Sequence, residues 1–157
     1  QVLIDRFIKS LNISKEDGLL LVGHGGLGSG NSSYGNLQFK LIRDGLTNIR
    51  IAVLENAPYV ADIAMPWEWL DGKRPNTIYV HPLLLVLGDH AQNDLFGDEE
   101  DSVINELTDY GYEVKPIYSA LGEYEAIQDI FRQHVQDCID DLYGKRSTHR
   151  PTIPNIK

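Results

Sequence analysis

Thr77-Ile78-Tyr79-Val80-His81-Pro82-Leu83-Leu84-Leu85-Val86-Leu87-Gly88 is the stretch on which the fold turns. A run this rich in β-branched, aromatic and leucine residues, closed by a glycine, predicts a strand over 77–87 buried on both faces. Three shorter runs share its character. Leu19 to Val22 is opened by Gly18 and bounded by glycines, Ile49 to Leu54 ends on Glu55, and Glu113 to Tyr118 follows Gly111. Helical patterns lie between and around them. Val2 to Leu11 carries an apolar stripe. Ser32 and Ser33 predict the cap of a helix from about 34 to 45, with Leu37, Leu41 and Ile42 on one face. Asp101 to Tyr110 reads as a short helix stopped by Gly111, and Glu123 to Tyr143 as a longer one. In the last, Ala126, Ile127, Ile130, Phe131, Val135, Cys138, Ile139 and Leu142 fall at three- and four-residue steps. A segment with Trp67 and Trp69 between prolines reads as a short helix or an irregular loop. Strands alternating with helices predict an α/β domain over 1–143: a four-stranded, mostly parallel sheet flanked by helices, with an extended tail at 144–157.

Composition narrows what such a domain does. At 157 residues the chain reads as one unit with a core of its own. Its longest apolar stretch, Pro82 to Leu87, is far too short for a membrane span. Cys138 is its single cysteine, which excludes an internal disulfide framework and a multi-cysteine metal site, and suits a reducing, cytoplasmic setting. Fourteen Lys and Arg against 23 Asp and Glu give a net charge of −9, which argues against nucleic acid or an anionic membrane as partner. The chain begins with Gln1 and has Met65 as its one methionine, so it is expected to be part of a longer protein. No signal-peptide pattern opens it.

In parallel α/β sheets ligands bind beyond the carboxyl ends of the strands. Three polar residues fall there: His24 after the first strand, Glu55 after the second and His90 after the third. His24 lies in Gly23-His24-Gly25-Gly26-Leu27-Gly28-Ser29-Gly30, where flanking glycines let the backbone turn and present the imidazole to a cleft. His90 lies in Leu87-Gly88-Asp89-His90-Ala91-Gln92-Asn93-Asp94. A polar cluster at the edge of so apolar an element is costly unless paired or used, the bland alternative being a turn capped by Asp89 or Asp94. Glu55, before Asn56-Ala57-Pro58, suits a ligand, a base or a capping acceptor. Two histidines and a glutamate are the donors expected for a borderline divalent metal or for proton transfer. His81, inside its strand, reads as a satisfied structural histidine; His134 and His149 carry stronger structural than functional readings. Gly23-x-Gly25-x-x-Gly28 also fits a short dinucleotide fingerprint. Against it, the loop runs on through Gly30 and Asn31, whereas a pyrophosphate needs the helix N-terminus at the turn itself. The acidic run from Asp94 to Asp101 reads as charge at the start of the helix that follows, without the spacing of a calcium loop.

Pro82 to Asp94, with Asp98, Asp101-Ser102, Gly111-Tyr112-Glu113-Val114 and Leu121-Gly122-Glu123, strongly resembles the anaerobic-pathway sirohydrochlorin cobaltochelatases, class II tetrapyrrole chelatases. Val22-Gly23-His24-Gly25 and Val53-Leu54-Glu55 fall where that family has its first histidine and its glutamate, and the likeness runs from about Gly18 to Leu142. The resemblance implies a two-lobed α/β enzyme that inserts cobalt(II) into sirohydrochlorin on the route to cobalamin. It further implies that His24, Glu55 and His90 are the metal and catalytic residues and that this chain is the C-terminal half. Cobalt would then be a substrate, nickel and iron suiting the same donors, and no organic cofactor is expected. The tetrapyrrole and either an N-terminal half or a second copy would be the partners. Two departures bear on substrate: Gly26-Leu27-Gly28-Ser29 stands where the family has threonine and often another histidine, and Asn56-Ala57-Pro58 where it has an aromatic-proline pair. A haem- or porphyrin-binding protein on the same fold is the rival reading, and a nucleotide-binding domain a minor one.

Overall fold

A computed structural model describes residues 3–64 and 74–144. Within them four strands form one sheet: β1 (Gly18–Gly25), β2 (Ile49–Glu55), β3 (Thr77–Pro82) and β4 (Glu113–Pro116), in the order β2-β1-β3-β4. Every pairing is parallel, with Leu21 of β1 beside Ile51 of β2 and His81 of β3. The helices are α1 (Ser32–Arg43), α2 (Val60–Ala64), α3 (Asp89–Phe96), α4 (Val103–Asp109) and α5 (Glu125–Leu142), with a helical segment at Leu3–Ile8 and tight turns at Gly28–Asn31 and Leu121–Glu123. No described helix is long and apolar enough to cross a membrane. Trp67, Trp69 and the tail lie outside the described residues.

Alternation along β1 builds the core. Leu19 and Leu21 point to one face, where they meet Phe7, Ile8, Leu41, Ile49 and Ile51. Leu20 and Val22 point to the other and pack with Ala52, Ile78, Val80, Leu95, Val103 and Leu107. A strand buried on both sides has no use for polar alternation, which is why the sequence shows none.

The same packing locates the crevice. The chain leaves β1 towards the Phe7 face, where Leu41 of α1 is buried, and leaves neighbouring β3 towards the opposite face, where Ala91 and Leu95 of α3 are buried. Adjacent strands whose connections diverge in this way open a crevice at their carboxyl ends.

The third strand is shorter than its sequence predicts: it ends at Pro82 rather than at 87. Leu83 still donates its N–H to the Val22 carbonyl at 2.7 Å. Beyond that rung β1 goes on pairing with β2 on its other edge, through Gly23–Val53 and Gly25–Glu55, while residues 83–88 have no register partner and the Leu84 and Leu85 carbonyls accept from Leu121 and Gly122 instead. His90 accordingly sits in the first turn of α3, eight residues beyond the end of β3. The fourth strand stops at Pro116 rather than Tyr118, and the helix predicted from Asp101 starts at Val103 after a turn in which Ser102 N–H bonds the Glu99 carbonyl. Helix α1 runs two residues ahead of its prediction at both ends, with Gly45 at φ +79° just beyond it. Helix α5 follows its predicted periodicity over 125–142, yet of its apolar positions Ile127 alone is buried.

Candidate metal-handling site at the strand ends

His24 and Glu55 come together because β1 pairs with β2 as far as Gly25, three residues beyond its last pair with β3 at Val22. Gly25 is the register partner of Glu55, so the histidine and the glutamate leave adjacent strand ends side by side. The imidazole Nδ1 lies 3.8 Å from Glu55 Oε2, with both side chains about half exposed, at 49% and 53%. The two glycines around His24 serve different neighbours. A Cβ on Gly23 would collide with the Tyr34 ring, and one on Gly25 with the Glu55 carbonyl. Gly25 also holds φ +87°, a conformation that disfavours side chains. Its N–H points at Tyr34 Oη, 3.4 Å away.

Two asparagines fasten the loops that carry the pair. Asn31 Nδ2 donates to the Ala57 carbonyl at 3.0 Å and reaches the Glu55 carbonyl at 3.4 Å. In return, Asn56 Nδ2 donates to the Gly26 carbonyl at 3.1 Å. Asn56 sits at φ +66°, a position asparagine tolerates better than most residues. These ties hold the β1 loop against the β2 loop and thereby the imidazole against the carboxylate. Sequence reading passes over both asparagines, since each spans about 25 to 30 positions and carries no local signature.

The third predicted residue, His90, occupies the first turn of α3, whose start borders the same depression as His24. Gly88 and Ala91, on either side of its backbone, line that depression together with His24, Leu54, Leu84, Leu85 and Val86. Its volume is about 300 Å³ and its wall is mainly apolar. Among the described side chains no three of histidine, cysteine, aspartate and glutamate converge as a closed metal site. His24 and Glu55 form an open pair.

His81, one strand over from β1, shows the opposite environment. It is fully buried, stacked edge-on against Phe7 at 4.9 Å between ring centres. The Pro82 carbonyl lies 2.8 Å from Nδ1 and can only accept, so Nδ1 carries the proton. Nε2 then accepts from the Tyr124 hydroxyl at 3.0 Å, and Ser119 Oγ donates to that hydroxyl at 2.8 Å. Burial pushes the His81 pKa down to about 4. Such a ring is neutral, saturated with partners and closed to a ligand, as its reading as a structural histidine requires.

Three comparisons bear on this arrangement. The family model described as cobalt chelatase (CbiK) matches residues 1–140. The sirohydrochlorin cobaltochelatase of Salmonella typhimurium is 27% identical over 129 residues, which are 82% of this chain and 47% of that protein. The chain thus spans about half the length of that curated relative. A solved CbiX protein from Marinobacter aquaeolei, named for cobalamin (vitamin B12) biosynthesis, superposes with a TM-score of 0.56 at 18% identity. It covers 80% of this chain and 98% of its own length, which supports the fold.

Proposed function

Given that the chain belongs to the cobalt chelatase (CbiK) family, we propose that it is the metal-handling half of a sirohydrochlorin cobaltochelatase and inserts cobalt(II) into sirohydrochlorin. The observation that carries this reading is the His24–Glu55 pair, 3.8 Å apart at the mouth of the switch-point crevice. An imidazole nitrogen and a carboxylate oxygen, each about 2.1 Å from one divalent ion, lie at most about 4.2 Å apart. The observed spacing therefore admits a shared ion with little movement.

In the proposed reaction the ring releases two pyrrole protons as cobalt(II) enters, so the site must deliver an ion and accept protons. His24 is suited to both tasks, because a neutral imidazole nitrogen is a borderline metal donor and a proton acceptor. Glu55 offsets the charge of the incoming ion and passes protons outward to solvent. His90, carried by the start of α3, which borders the same depression, is the third member. An incomplete ligand set fits the task, since a closed site would retain the metal. Cobalt rests on the family, and nickel and iron suit the same donors. Because the chain spans 47% of the Salmonella relative, a second lobe, either an N-terminal half or another copy, would complete the cleft over the ring. The working compartment in this reading is the cytoplasm.

The test is cobalt(II) insertion into sirohydrochlorin by the full-length protein, followed by absorbance, beside its His24→Ala and His90→Ala variants. The reading predicts insertion well above the spontaneous rate and its loss in both variants. A protein that binds the tetrapyrrole but inserts neither cobalt, nickel nor iron would be a porphyrin carrier instead.

A further inference from the structure

Residues 83–88 leave the sheet yet are firmly held. The Leu84 and Leu85 carbonyls accept from the N–H groups of Leu121 and Gly122 at 2.8 and 3.0 Å. That turn is itself latched, because Ala120 N–H donates to Glu123 Oε1 at 2.7 Å. The backbones approach so closely that a Cβ on Gly122 would stand 2.6 Å from the Leu85 carbonyl oxygen. Leu84 and Leu87 pack against the core. Leu85 and Val86 do not: they are 49% and 75% exposed, two consecutive apolar side chains presented to solvent by a segment pinned from behind. Both line the depression that His24 also lines.

Resting on the chelatase reading above, we propose that Leu85 and Val86 form an apolar ledge that receives the flat face of the macrocycle and sets the ring beside His24. They are then specificity-determining residues for the tetrapyrrole. Sirohydrochlorin is a polyanion and this chain carries a net charge of −9, so long-range attraction does not bring the two together. The favourable contact must come from the ring face, which is apolar, while its carboxylates stay at the rim in water. At about 300 Å³ the depression lies at the low end for ligand pockets, so it seats one side of the ring rather than enclosing it. His24 lines the same depression, so the metal pair borders the seated ring.

The experiment is a fluorescence-quenching titration of the full-length protein with uroporphyrin, an octacarboxylate free-base macrocycle. The double variant Leu85→Ser/Val86→Ser and the backbone variant Gly122→Ala are run alongside, with a separate cobalt(II) titration of each. Removing the exposed apolar surface of two side chains predicts roughly a tenfold or larger rise in the uroporphyrin dissociation constant. Gly122→Ala, which displaces the ledge without changing its side chains, shifts binding in the same direction, and cobalt affinity stays at the wild-type value throughout. Uroporphyrin binding by the double variant at wild-type strength overturns the ledge. So does a change confined to its association state in light scattering, which would assign these residues to contact with another protein lobe. Ledge-dependent binding in a protein that inserts no metal sustains the ledge and defeats the chelatase reading, and a wild-type protein that binds no macrocycle defeats both.

Discussion

His24 and His81 belong to adjacent strands of one sheet and have opposite fates. His81 lies within the paired region of β3, beside Leu21, where both faces of the sheet are covered. Both its ring nitrogens are occupied, and it stays neutral down to about pH 4. His24 lies two residues beyond the last rung that β1 shares with β3, where the strands part and the ring is half exposed beside a carboxylate. A difference of a few residues in where pairing stops thus separates a structural histidine from a candidate metal ligand. The lesson is that the position of a histidine relative to the end of its ladder says more about its role than how apolar its neighbours are.

That contrast breaks most readily at the site. Replacing His24 with Ala is expected to cut cobalt insertion by about 10²- to 10⁴-fold, the range associated with losing a positioned acid–base group. The same variant should unfold within about 0.5 kcal/mol of the wild type in urea, as exposed substitutions do. His81→Ala is the mirror image: removing a buried, hydrogen-bonded ring should cost about 2–4 kcal/mol in the same denaturation. If His24→Ala proves the more destabilising of the two, the contrast is wrong.

Acid sharpens the comparison. The folded pKa of His81, about 4, lies below the ordinary value of 6.5, so between these limits the unfolded chain binds more protons than the folded one. The stability that depends on the neutral ring is fully present above about pH 6.5 and is lost as the pH falls towards 4, up to about 3 kcal/mol. In His81→Gln this part of the acid slope should vanish, which denaturation midpoints across the interval would reveal. The smallest of these effects concerns charge. Glu55→Gln keeps the shape of the side chain and removes its charge, and is expected to slow insertion about 10- to 100-fold. A rate equal to the wild type would leave the carboxylate without a part in the reaction.

Much of this was legible in the residues, and the failures have physical causes. The strands at 18–25 and 49–55 announced themselves as apolar runs over 19–22, bounded by glycines, and over 49–54, and Glu55 appeared at a strand end where it does stand. Residues 83–87 misled because an apolar run shows that a segment avoids water, not that it has a strand to pair with. Register pairing with β1 ends at Val22–Pro82, and the Leu84 and Leu85 carbonyls turn instead to Leu121 and Gly122, a tertiary event invisible in either segment alone. The helix α3 was not foreseen, because its residues 89–94 read as a polar cluster or capped turn after the strand; His90 does follow the third strand, in the first turn of that helix. In α5 the period of the apolar residues was readable, but their burial depends on a neighbour that periodicity does not name. Phe131, Val135 and Leu142 are exposed by 50%, 60% and 85% among the described residues.

The central claim, the proposal that cobalt is received by the His24–Glu55 pair and not by the buried His81, is tested most directly by titrating the full-length protein with cobalt(II) and following its visible absorption. The wild type, His24→Ala and His81→Gln are compared at one pH. The account predicts that His24→Ala weakens binding at least about tenfold, a loss of about 1.4 kcal/mol or more, while His81→Gln binds as the wild type does. Equal cobalt affinity in the wild type and His24→Ala would contradict it.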